Sequence, residues 1–470
     1  MSVDEARIQQ IIEAVVQRMQ GGSGGAPSRA TPGASNKLGV HRTMDQAVDA
    51  AHSAFRKMQG LTLETRREMI ANIRRTACAQ VKDLARMAHE ETGLGRYDDK
   101  IAKNMLAATK TPGIELLQSI SYTGDNGLTL VERAPHGVIG SITPCTNPTE
   151  TLLNNGIGMV AGGNAVVFNP HPMAKETSQF CIDMMNRAVR DAGGPETCFN
   201  CVEEPSIESA TALMKHKGIH MLVVTGGGGV VTAAMNSGKK CIAAGPGNPP
   251  VVVDETADIE QAGAGIVRGA SFDNNVICTD EKEVFVVDSV ADDLLRALER
   301  NGAFLLKERD IDRLHGLTFK DGHTVRGLVG KNAGHYLREL GIPFQGDPRI
   351  IIADVPASHD FVQHEMLMPI IGLTRVRDCN TAIELAMEAE HGCRHTASMY
   401  SKNLDALHRM ACAFNGSIFI KNAPNYAGLG FGGEGYTSWT IASPTGEGLT
   451  TCLDFTRVRR CTLAGYFRIV

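Results

Sequence analysis

Short apolar segments alternate with helical patterns between residues 137 and 254, and this alternation constrains the fold more than any other feature. The strand-like segments read VIGSIT, AVVF, MLVVT, CIAA and VVVD. Such continuous apolar runs are typical of parallel strands that are buried on both faces. The sequence therefore predicts an α/β fold in which helices cover both faces of a parallel sheet.

A second α/β unit follows the first. It begins with a predicted helix over Ala257–Ala270 and continues with a strand over Glu283–Asp288. Because each unit has its own apolar runs, and because 470 residues exceed what one hydrophobic core usually serves, we expect two Rossmann-like parallel-sheet domains.

The segments before the first sheet are mostly helical by pattern. Apolar residues recur with a 3.6-residue period over Met44–Met58 and Thr65–Thr92, and Gly93 is well placed to end the second of these helices. Between Tyr122 and Glu132 the pattern changes to strand, and the turn sequence GDNG at residues 124–127 indicates a protruding hairpin. We expect this hairpin to act as an oligomerisation arm.

The first 37 residues form two further parts. Apolar side chains at Ile8, Ile11, Ile12, Val15 and Val16 lie on one stripe of a predicted helix over residues 1–20, and the Gly/Ser/Pro-rich segment 21–37 reads as a flexible linker. A helix of about 15 residues is marginal alone in water, so its stripe needs a partner. That partner could be the protein's own oligomer or another protein.

Together these patterns divide the chain into five parts. They are a helix at 1–20, a linker at 21–37, a first domain at 38–120 and 135–256, a second domain at 257–442, and an oligomerisation arm at 121–134 and 443–470.

Composition excludes several classes of protein. The formal charge is -5 with no block of Lys and Arg, which argues against nucleic acid as a partner. No apolar stretch reaches the roughly 18 residues that cross a bilayer, and the N-terminus lacks a secretory signal, so we expect a cytoplasmic protein without a membrane partner. The pair Cys198 and Cys201 has no second pair at metal-site spacing, and we expect buried thiols and no metal there.

Two glycine-rich segments are candidates for binding phosphate. Thr225 and the run Gly226–Gly229 follow the strand MLVV and open a helix, where backbone amides can approach a pyrophosphate; a simple tight turn is the alternative. A GxGxxG spacing occurs at residues 428–433, but the β-branched and aromatic segment after it does not predict the helix that would hold a pyrophosphate. We expect a close-approach loop there.

One cysteine, Cys278, lies in a polar loop between a predicted helix and a predicted strand. Its segment, residues 271–284, reads SFDNNVICTDEKEV. A cysteine in such a loop can be a nucleophile, although most cysteines fill cores.

Six segments together resemble the aldehyde dehydrogenase superfamily, over about residues 38–470. They are the Cys278 segment and TPCTNPTE (143–150), GGNAVVFNPHP (162–172), AAGPGNPPVVVDETAD (243–258), HEMLMP (364–369) and GSIFIKNAP (416–424). The chain is most similar to the CoA-acylating propionaldehyde and acetaldehyde dehydrogenases of bacterial microcompartments. Those proteins also carry an N-terminal amphipathic helix on a tether.

The resemblance implies that the first domain binds NAD and that the second is catalytic. Cys278 matches the nucleophile, which attacks the aldehyde as a thiolate. Asn147 matches the amide that stabilises the resulting oxyanion, whereas the residue alone reads as a turn former before Pro148.

The remaining matched positions are cofactor contacts. Those on the pyrophosphate, adenosine and nicotinamide sides are Thr143, Pro144, Asn169, His171, Thr225, Gly226, Gly227, Val230, Gly245, Glu365 and Leu367. NAD is the cofactor that the resemblance implies. NADP stays open, because Pro172 stands where NAD-specific relatives often carry a glutamate.

Hydrolytic members of the family carry a glutamate that activates water, and the position that matches it in this chain is Ala243. Without that base, a thiol accepts the acyl group more easily than water does, which implies coenzyme A as co-substrate. Propionaldehyde is the expected substrate, with acetaldehyde as the alternative. A hydrolytic enzyme that yields free acid and a catalytically idle scaffold are the rival interpretations.

By the same resemblance we expect a homo-oligomer, dimer or tetramer, inside a bacterial microcompartment, with residues 1–20 docked on a shell protein.

Overall fold

The structure is a computed structural model that describes residues 37–467. The predicted helix at 1–20, and the linker as far as residue 36, lie outside the described residues.

The strands follow one another along the chain and are numbered in that order. They are β1 (Val40–His41), β2 (Ile120–Gly124), β3 (Gly127–Pro135), β4 (Val138–Ile142), β5 (Ala165–Asn169), β6 (Phe199–Val202), β7 (Met221–Thr225), β8 (Lys240–Ala244), β9 (Pro250–Val253), β10 (Glu283–Val287), β11 (Ala303–Leu305), β12 (Phe319–Lys320), β13 (His323–Thr324), β14 (Ile350–Asp354), β15 (Ile370–Val376), β16 (Thr396–Tyr400), β17 (Ile418–Lys421), β18 (Ile441–Ala442), β19 (Gly448–Leu449) and β20 (Thr456–Ala464).

The α-helices are numbered in the same way. They are α1 (Met44–Met58), α2 (Leu63–Ala79), α3 (Val81–Thr92), α4 (Tyr97–Lys110), α5 (Pro148–Ala161), α6 (Lys175–Asp191), α7 (Ile207–Lys215), α8 (Gly228–Met235), α9 (Ile259–Ala270), α10 (Asp288–Arg300), α11 (Glu308–Thr318), α12 (Ala333–Glu339), α13 (Asp360–Gln363), α14 (Cys379–Ala389) and α15 (Leu404–Phe414).

Two parallel sheets form the body, as the sequence predicted. The first has six strands in the order β1-β6-β5-β4-β7-β8, and every neighbouring pair is parallel. Its strands β4 and β5 are buried at every position, which explains their continuous apolar sequences. Apolar side chains from the helices on each face complete two separate cores around this sheet.

The second sheet has seven parallel strands in the order β11-β14-β15-β10-β9-β16-β17. Strand β9 is one of them. The sequence grouped this VVVD segment with the first sheet and placed the change of domain after residue 256, whereas the structure has the chain enter the second sheet at Pro250. A fully buried parallel strand has the same apolar sequence in either sheet, so its pattern could not reveal which one it joins.

The predicted hairpin is present. Strands β2 and β3 pair antiparallel around the turn between Gly124 and Gly127, and β3 also pairs with β20 along nine residues. The arm thus joins residues near 120–135 to the C-terminal part of the chain, and β20 is an edge strand with almost every residue exposed.

Helix boundaries follow the local signals in the sequence. Thr43 caps α1 with a reciprocal capping box that includes Gln46. The long pattern over Thr65–Thr92 is two helices, α2 and α3, which meet at Gln80, and Gly93 ends the second one in the left-handed conformation with φ of 66°. The helix stop at Gly93 was therefore predicted correctly, and the break at Gln80 was not.

The GxGxxG segment does not open an α-helix, as expected. Gly430 has φ of 81°, and a Cβ atom at Gly433 would lie 2.4 Å from the carbonyl oxygen of Ala427. Lys110 at the end of α4 donates hydrogen bonds to the carbonyls of Gly430 and Gly433. The glycines therefore allow a close backbone approach and an anchor to the first domain.

All twelve cysteines lie in the described part of the chain and are free. Cys198 and Cys201 are fully buried in or beside β6, and burial raises the pKa of both thiols, that of Cys201 to about 12. Among residues 37–467, no three His, Cys, Asp or Glu side chains form a group that could hold a metal ion. No helix within these residues is long and apolar enough to cross a membrane.

Gly95 offers a test of how tightly the two domains meet. It has φ of 71°, and a Cβ atom there would lie 1.9 Å from Oδ1 of Asp273 in the second domain. Gly193 has φ of 82° but nothing within 4 Å of its Cβ position. We expect Gly193→Ala to lower the free energy of unfolding by roughly 1–2 kcal/mol, the penalty of an alanine in the left-handed conformation. Gly95→Ala should lower it by roughly 1–3 kcal/mol more, because the added methyl group displaces the buried carboxylate of Asp273.

Thermal unfolding of both variants checks this prediction. Gly193→Ala is the matched control, since it adds the same methyl group in the same backbone conformation. Equal decreases in Tm would show that no close approach exists at Gly95.

Candidate active site

The candidate site residues lie where loops follow strands of the first sheet and precede strands of the second. The connection from β8 to β9 is only residues 245–249, and it contains Gly245 and Gly247. Five residues span at most about 18 Å, so the carboxyl end of β8 and the amino end of β9 lie close together. The predicted cofactor side and the predicted nucleophile side therefore meet across this short segment.

The loop before Cys278 has an unusual backbone. Asp273, Asn274 and Asn275 have φ values of 47°, 58° and 66°, all in the left-handed region. Asp and Asn tolerate this region better than other residues with a Cβ atom, which explains the sequence DNN at this point. The loop turns away from α9 here and brings Cys278 between that helix and β10.

Buried hydrogen bonds stabilise each of these three residues. The carboxylate of Asp273 accepts hydrogen bonds from Nζ of Lys100 at 2.9 Å, from Nζ of Lys103 at 2.6 Å and from the backbone N–H of Arg96 at 2.7 Å. Burial alone would raise the pKa of Asp273, but the two ammonium groups overcome this effect and hold the pKa below its usual value. Asp273 is therefore an ionised carboxylate in the protein interior.

The amides continue the same network. Asn274 donates to the carbonyl of Gly330 and to Oδ1 of Asn332. Asn275 donates to backbone carbonyls of Ala270 and Glu281. Because the side chains of Asp273, Asn274 and Asn275 all have specific hydrogen-bond partners, these three residues are held in the left-handed conformation despite its strain.

Gly247 lies between the Cys278 segment and His395. A Cβ atom placed at Gly247 would be 3.0 Å from the Cys278 carbonyl oxygen and 2.9 Å from the ring of His395, so Gly247 packs against both residues. The backbone N–H of Gly247 donates to Oε1 of Glu365 at 3.3 Å. Glycine is needed at this position because any larger side chain would collide with the loop that carries the thiol.

The surroundings of the Cys278 thiol disfavour its ionisation. Burial raises its pKa to about 12, and the nearby carboxylate of Glu365 contributes in the same direction. The ammonium of Lys282 lowers the pKa of the thiol but does not reverse the shift. Lys282 itself donates hydrogen bonds to the carbonyls of Asn275 and Ile277 and to the Asn275 side chain.

Asn147 is the residue before α5, in the loop after β4. Its Nδ2 donates to the Thr146 hydroxyl at 3.2 Å, and its Oδ1 is buried without a partner among the described residues. Its carbonyl accepts hydrogen bonds from the backbone and the hydroxyl of Thr151, so the residue also begins the helix. Asn147 can therefore begin the helix with its backbone and still use its side-chain amide as a hydrogen-bond donor to a ligand, because that amide does not cap α5.

The glycine segment after β7 has the shape of a phosphate cradle. Gly227 is the N-cap of α8, and Cβ atoms at Gly227, Gly228 and Gly229 would meet nothing within 4 Å. The Thr225 hydroxyl is held by Thr440 at 2.8 Å. Open space over a helix N-terminus fits the pyrophosphate of a dinucleotide.

The other predicted cofactor contacts lie on the same edge of the first sheet. The backbone N–H of Thr143 donates to the carbonyl of Asn169, and the Thr143 hydroxyl is buried without a partner among the described residues. Asn169 is held by the Ser209 hydroxyl, and Nδ1 of His171 accepts from the backbone N–H of Met173. Pro144 follows Thr143 directly, and Val230 lies in the first turn of α8.

On the second domain, Glu365 and Leu367 precede β15. Leu367 has φ of 53°, and its carbonyl accepts from the backbone N–H of Gly330. The Gly330 carbonyl in turn accepts from Asn274 of the nucleophile loop. The segment that carries Glu365 is therefore connected to the segment that carries Cys278.

Ala243 is fully buried near the end of β8. Its backbone N–H donates to the Thr445 hydroxyl at 3.1 Å, and this hydroxyl donates to the carboxylate of Glu447. The Thr445 hydroxyl thus joins the backbone at Ala243 to the carboxylate of Glu447.

Three residues of this site were missed in the sequence. His395 directly precedes β16, and its Nε2 is buried without a partner among the described residues. Lys103 and Asp273 form the buried ion pair described above. A lysine at the apolar face of α4 was a usable signal, because buried lysines are rare unless paired; the histidine had no such signal.

This chain is similar to known proteins over most of its length. The model of the aldehyde dehydrogenase family matches residues 25–305. The acetaldehyde dehydrogenase (acetylating) EutE of Salmonella typhimurium is 46% identical over the whole of both chains.

Two solved structures are similar to the whole described body. The propionaldehyde dehydrogenase of Rhodopseudomonas palustris, solved with bound CoA and an acylated cysteine, superposes with a TM-score of 0.90 at 47% identity and covers 92% of this chain and 99% of its own. A propionaldehyde dehydrogenase from the fucose utilisation microcompartment of Clostridium phytofermentans has a TM-score of 0.91 at 44% identity, covering 92% and 100%.

The chain belongs to the aldehyde dehydrogenase family. Within that family its relatives carry the names of CoA-acylating and propionaldehyde enzymes, and the predicted two-domain α/β fold is confirmed by the similarity of their structures.

The pKa of Cys278 leads to a prediction about its reactivity without ligands. Because only the thiolate is alkylated, the rate with iodoacetamide should rise about tenfold per pH unit between pH 7 and 10 and show no plateau in this range. Glu365→Gln removes a nearby negative charge, so it should lower the pKa and accelerate alkylation at pH 8. The rate is measured by mass spectrometry of the Cys278 peptide, with Cys278→Ala as the blank. A plateau below pH 9 would contradict the prediction.

Proposed function

We propose that this protein oxidises a short-chain aldehyde and transfers the acyl group to coenzyme A, with NAD as the hydride acceptor. Two features together support the proposal. Cys278 lies in a loop that buried hydrogen bonds hold in place, and Ala243 occupies the position that the resemblance matches to the water-activating glutamate of hydrolytic enzymes. The names of its relatives point to the same reaction, and propionaldehyde and acetaldehyde are the two substrates that they suggest.

The first step forms a bond between Cys278 and the substrate. The Cys278 thiol loses its proton to solvent, the thiolate attacks the aldehyde carbon, and the carbonyl oxygen becomes an oxyanion. We assign its stabilisation to the side-chain amide of Asn147 and the backbone N–H of Cys278, at about 3 kcal/mol for a well-aimed donor. NAD, when bound, accepts the hydride that leaves this carbon, and Cys278 then carries a thioester.

We assign the binding of NAD to residues on both domains. The glycine turn with Thr225, Gly226 and Gly227, together with Val230 in the helix that follows, would hold the pyrophosphate. Asn169 and His171 would contact the adenosine side, and Glu365 would contact the nicotinamide ribose. The remaining contacts would be Thr143, Pro144, Gly245 and Leu367. NADP stays open as an alternative cofactor.

The second step transfers the acyl group. The sulfur of coenzyme A attacks the thioester, and the thiolate of Cys278 leaves. The thiol proton of coenzyme A passes to the leaving thiolate of Cys278, and we assign its relay to His395, because the ring lies beside Gly247 and its Nε2 is buried without a partner among the described residues. Burial lowers the pKa of His395 to about 3, so the imidazole is neutral and holds the proton only in transit.

Propionaldehyde and acetaldehyde differ by one methylene. Such a difference is worth about 1–3 kcal/mol in an apolar pocket, which leaves the two aldehydes close competitors.

We also propose a homo-oligomer, dimer or tetramer, built through the arm. Ile120, Tyr122, Val458, Leu463 and Tyr466 are large apolar residues exposed on or next to its three strands. An exposed apolar sheet with a long edge strand is a surface that a second copy of the chain can cover.

The proposed reaction is tested with Cys278→Ala. The variant should form no acyl-CoA but should bind NAD nearly as well as the unchanged protein, because the thiol does covalent chemistry and does not hold the dinucleotide. Acyl-CoA is measured by mass spectrometry with and without coenzyme A, and NAD binding by calorimetry. Cys412→Ala, at an exposed cysteine on α15, is the control and should keep full activity. Turnover above a few per cent in Cys278→Ala, or free acid released by the unchanged protein as fast as acyl-CoA, would refute the proposal.

Residues 1–20 are the proposed docking helix for a microcompartment shell protein, which would place the enzyme inside such a compartment in the cytoplasm. Two observations support this proposal. The predicted helix has an apolar stripe that needs a partner, and one similar structure comes from a bacterial microcompartment. Each apolar side chain on the stripe contributes roughly 1.5–3 kcal/mol when buried. We expect deletion of residues 1–36 to leave activity and the oligomer mass nearly unchanged.

The docking proposal is tested by fusing residues 1–37 to a fluorescent protein and measuring its co-purification with shells. Ile12→Glu with Val16→Glu should abolish co-purification, whereas Gln10→Glu with Gln17→Glu adds the same charge off the stripe and should not. If the intact fusion stays behind, or if truncation dissociates the oligomer in light scattering, the helix belongs to the enzyme's own assembly.

A further inference from the structure

Lys103 is a buried lysine of α4 that contacts both sides of the candidate active site. Its Nζ donates to Oδ2 of Asp273 at 2.6 Å and to the carbonyl oxygen of Thr146 at 3.3 Å, and it lies 3.9 Å from Oε1 of Glu150. The side chain of Lys103 has no exposed surface. One ammonium group thus joins the nucleophile loop to the loop that ends in Asn147.

Stabilising the fold does not by itself require one of the two buried lysines to contact Thr146. The adjacent Lys100 is equally buried and donates to the same Asp273 oxygen at 2.9 Å. The buried carboxylates of Asp273 and Glu150 together balance the two ammonium groups, so charge alone does not distinguish Lys103 from Lys100. The difference between the two is that Lys103 reaches Thr146, whereas no such bond is made by Lys100 within the described residues.

The connection continues to the predicted oxyanion donor. Lys103 holds the carbonyl of Thr146, and the hydroxyl of the same Thr146 accepts the hydrogen bond from Nδ2 of Asn147 at 3.2 Å. Asp273, Lys103, Thr146 and Asn147 are therefore consecutive members of one chain of contacts. The peptide bond that precedes Asn147 cannot rotate without breaking its bond to the ammonium.

We propose that Lys103 is a positioning residue that sets the distance between Cys278 and the oxyanion donor Asn147, by tying the loops of both to one buried ammonium. The inference rests on the proposed function. Two loops from different domains must present a thiolate and an amide to the same carbonyl group, and a misplacement of about 1 Å can lower a rate by 10²-fold. Burial lowers the pKa of Lys103, but Asp273 and Glu150 outweigh it, so the net shift is upward and the group stays charged during turnover.

A double-mutant cycle distinguishes positioning from simple stabilisation. Lys103→Met should lower kcat roughly 10–100-fold in the unchanged background. In the Asn147→Ala background, where the donor is already lost, the same change should cost less than about threefold, because effects of groups that act as a unit are not additive. Lys100→Met is the matched control: it removes the same bond to Asp273 without touching Thr146, so its effect should multiply in full with that of Asn147→Ala.

Each measurement uses the full-length protein with propionaldehyde, NAD and coenzyme A, and follows NADH and acyl-CoA. If the unchanged protein forms no acyl-CoA, the proposed function fails and the cycle is not interpreted as a test of Lys103. If it does, a kcat of Lys103→Met within threefold of the unchanged protein overturns the inference, as does full multiplication with Asn147→Ala. Should Lys103→Met not fold, Lys103→Gln replaces it under the same criteria, since its shorter amide keeps polar contact with Asp273.

Discussion

The buried carboxylate of Asp273 is the interaction on which the rest of the site depends. Three successive left-handed residues would relax to an ordinary turn unless something held them, since each costs of the order of 1–2 kcal/mol. Asp273 is held by two ammonium groups and a backbone N–H, all from the segment between Arg96 and Lys103 of the first domain. The conformation of the nucleophile loop therefore depends on contacts across the domain boundary at Asp273 as well as on the bonds that Asn274 and Asn275 make within their own domain.

Gly330 connects the nucleophile loop to Glu365 and Leu367, the residues predicted to contact the nicotinamide end of the cofactor. Its carbonyl accepts from the backbone of Gly95 and from Asn274, and its N–H donates to the carbonyl of Leu367. Glu365, two residues earlier, then meets Gly247 in the short connection between the sheets. These loops are joined by two main-chain hydrogen bonds, at Gly95 and Leu367, and by the side chains of Asn274 and Glu365. The site is therefore one connected network built from both sheets.

The sequence predicted the regular elements because their patterns are local. Helix α1, the stop at Gly93, the hairpin turn and the parallel strands all follow from residues within about ten positions of one another. The membership of β9 in the second sheet and the bond from Lys103 to Asp273 could not be predicted. These depend on which segments meet in space, and Lys103 and Asp273 are 170 positions apart. Resemblance to a family supplied Cys278 and Asn147 but offered no reason for the buried lysines or His395.

The choice of acyl acceptor is a matter of which nucleophile the site can activate. Water is a weak nucleophile that needs a base, whereas a thiol is intrinsically nucleophilic and ionises far more readily. At the end of β8 the side chain is the methyl group of Ala243, and its backbone N–H is used by Thr445, which also occupies the carboxylate of Glu447. A methyl group cannot take a proton from water, so in the proposed reaction a thioester on Cys278 meets no side-chain base at position 243. The thiol that attacks this thioester needs less activation than water does, and the partly buried position of Cys278 limits the access of bulk water to it. The residue at position 243 and the surroundings of the nucleophile therefore act in the same direction.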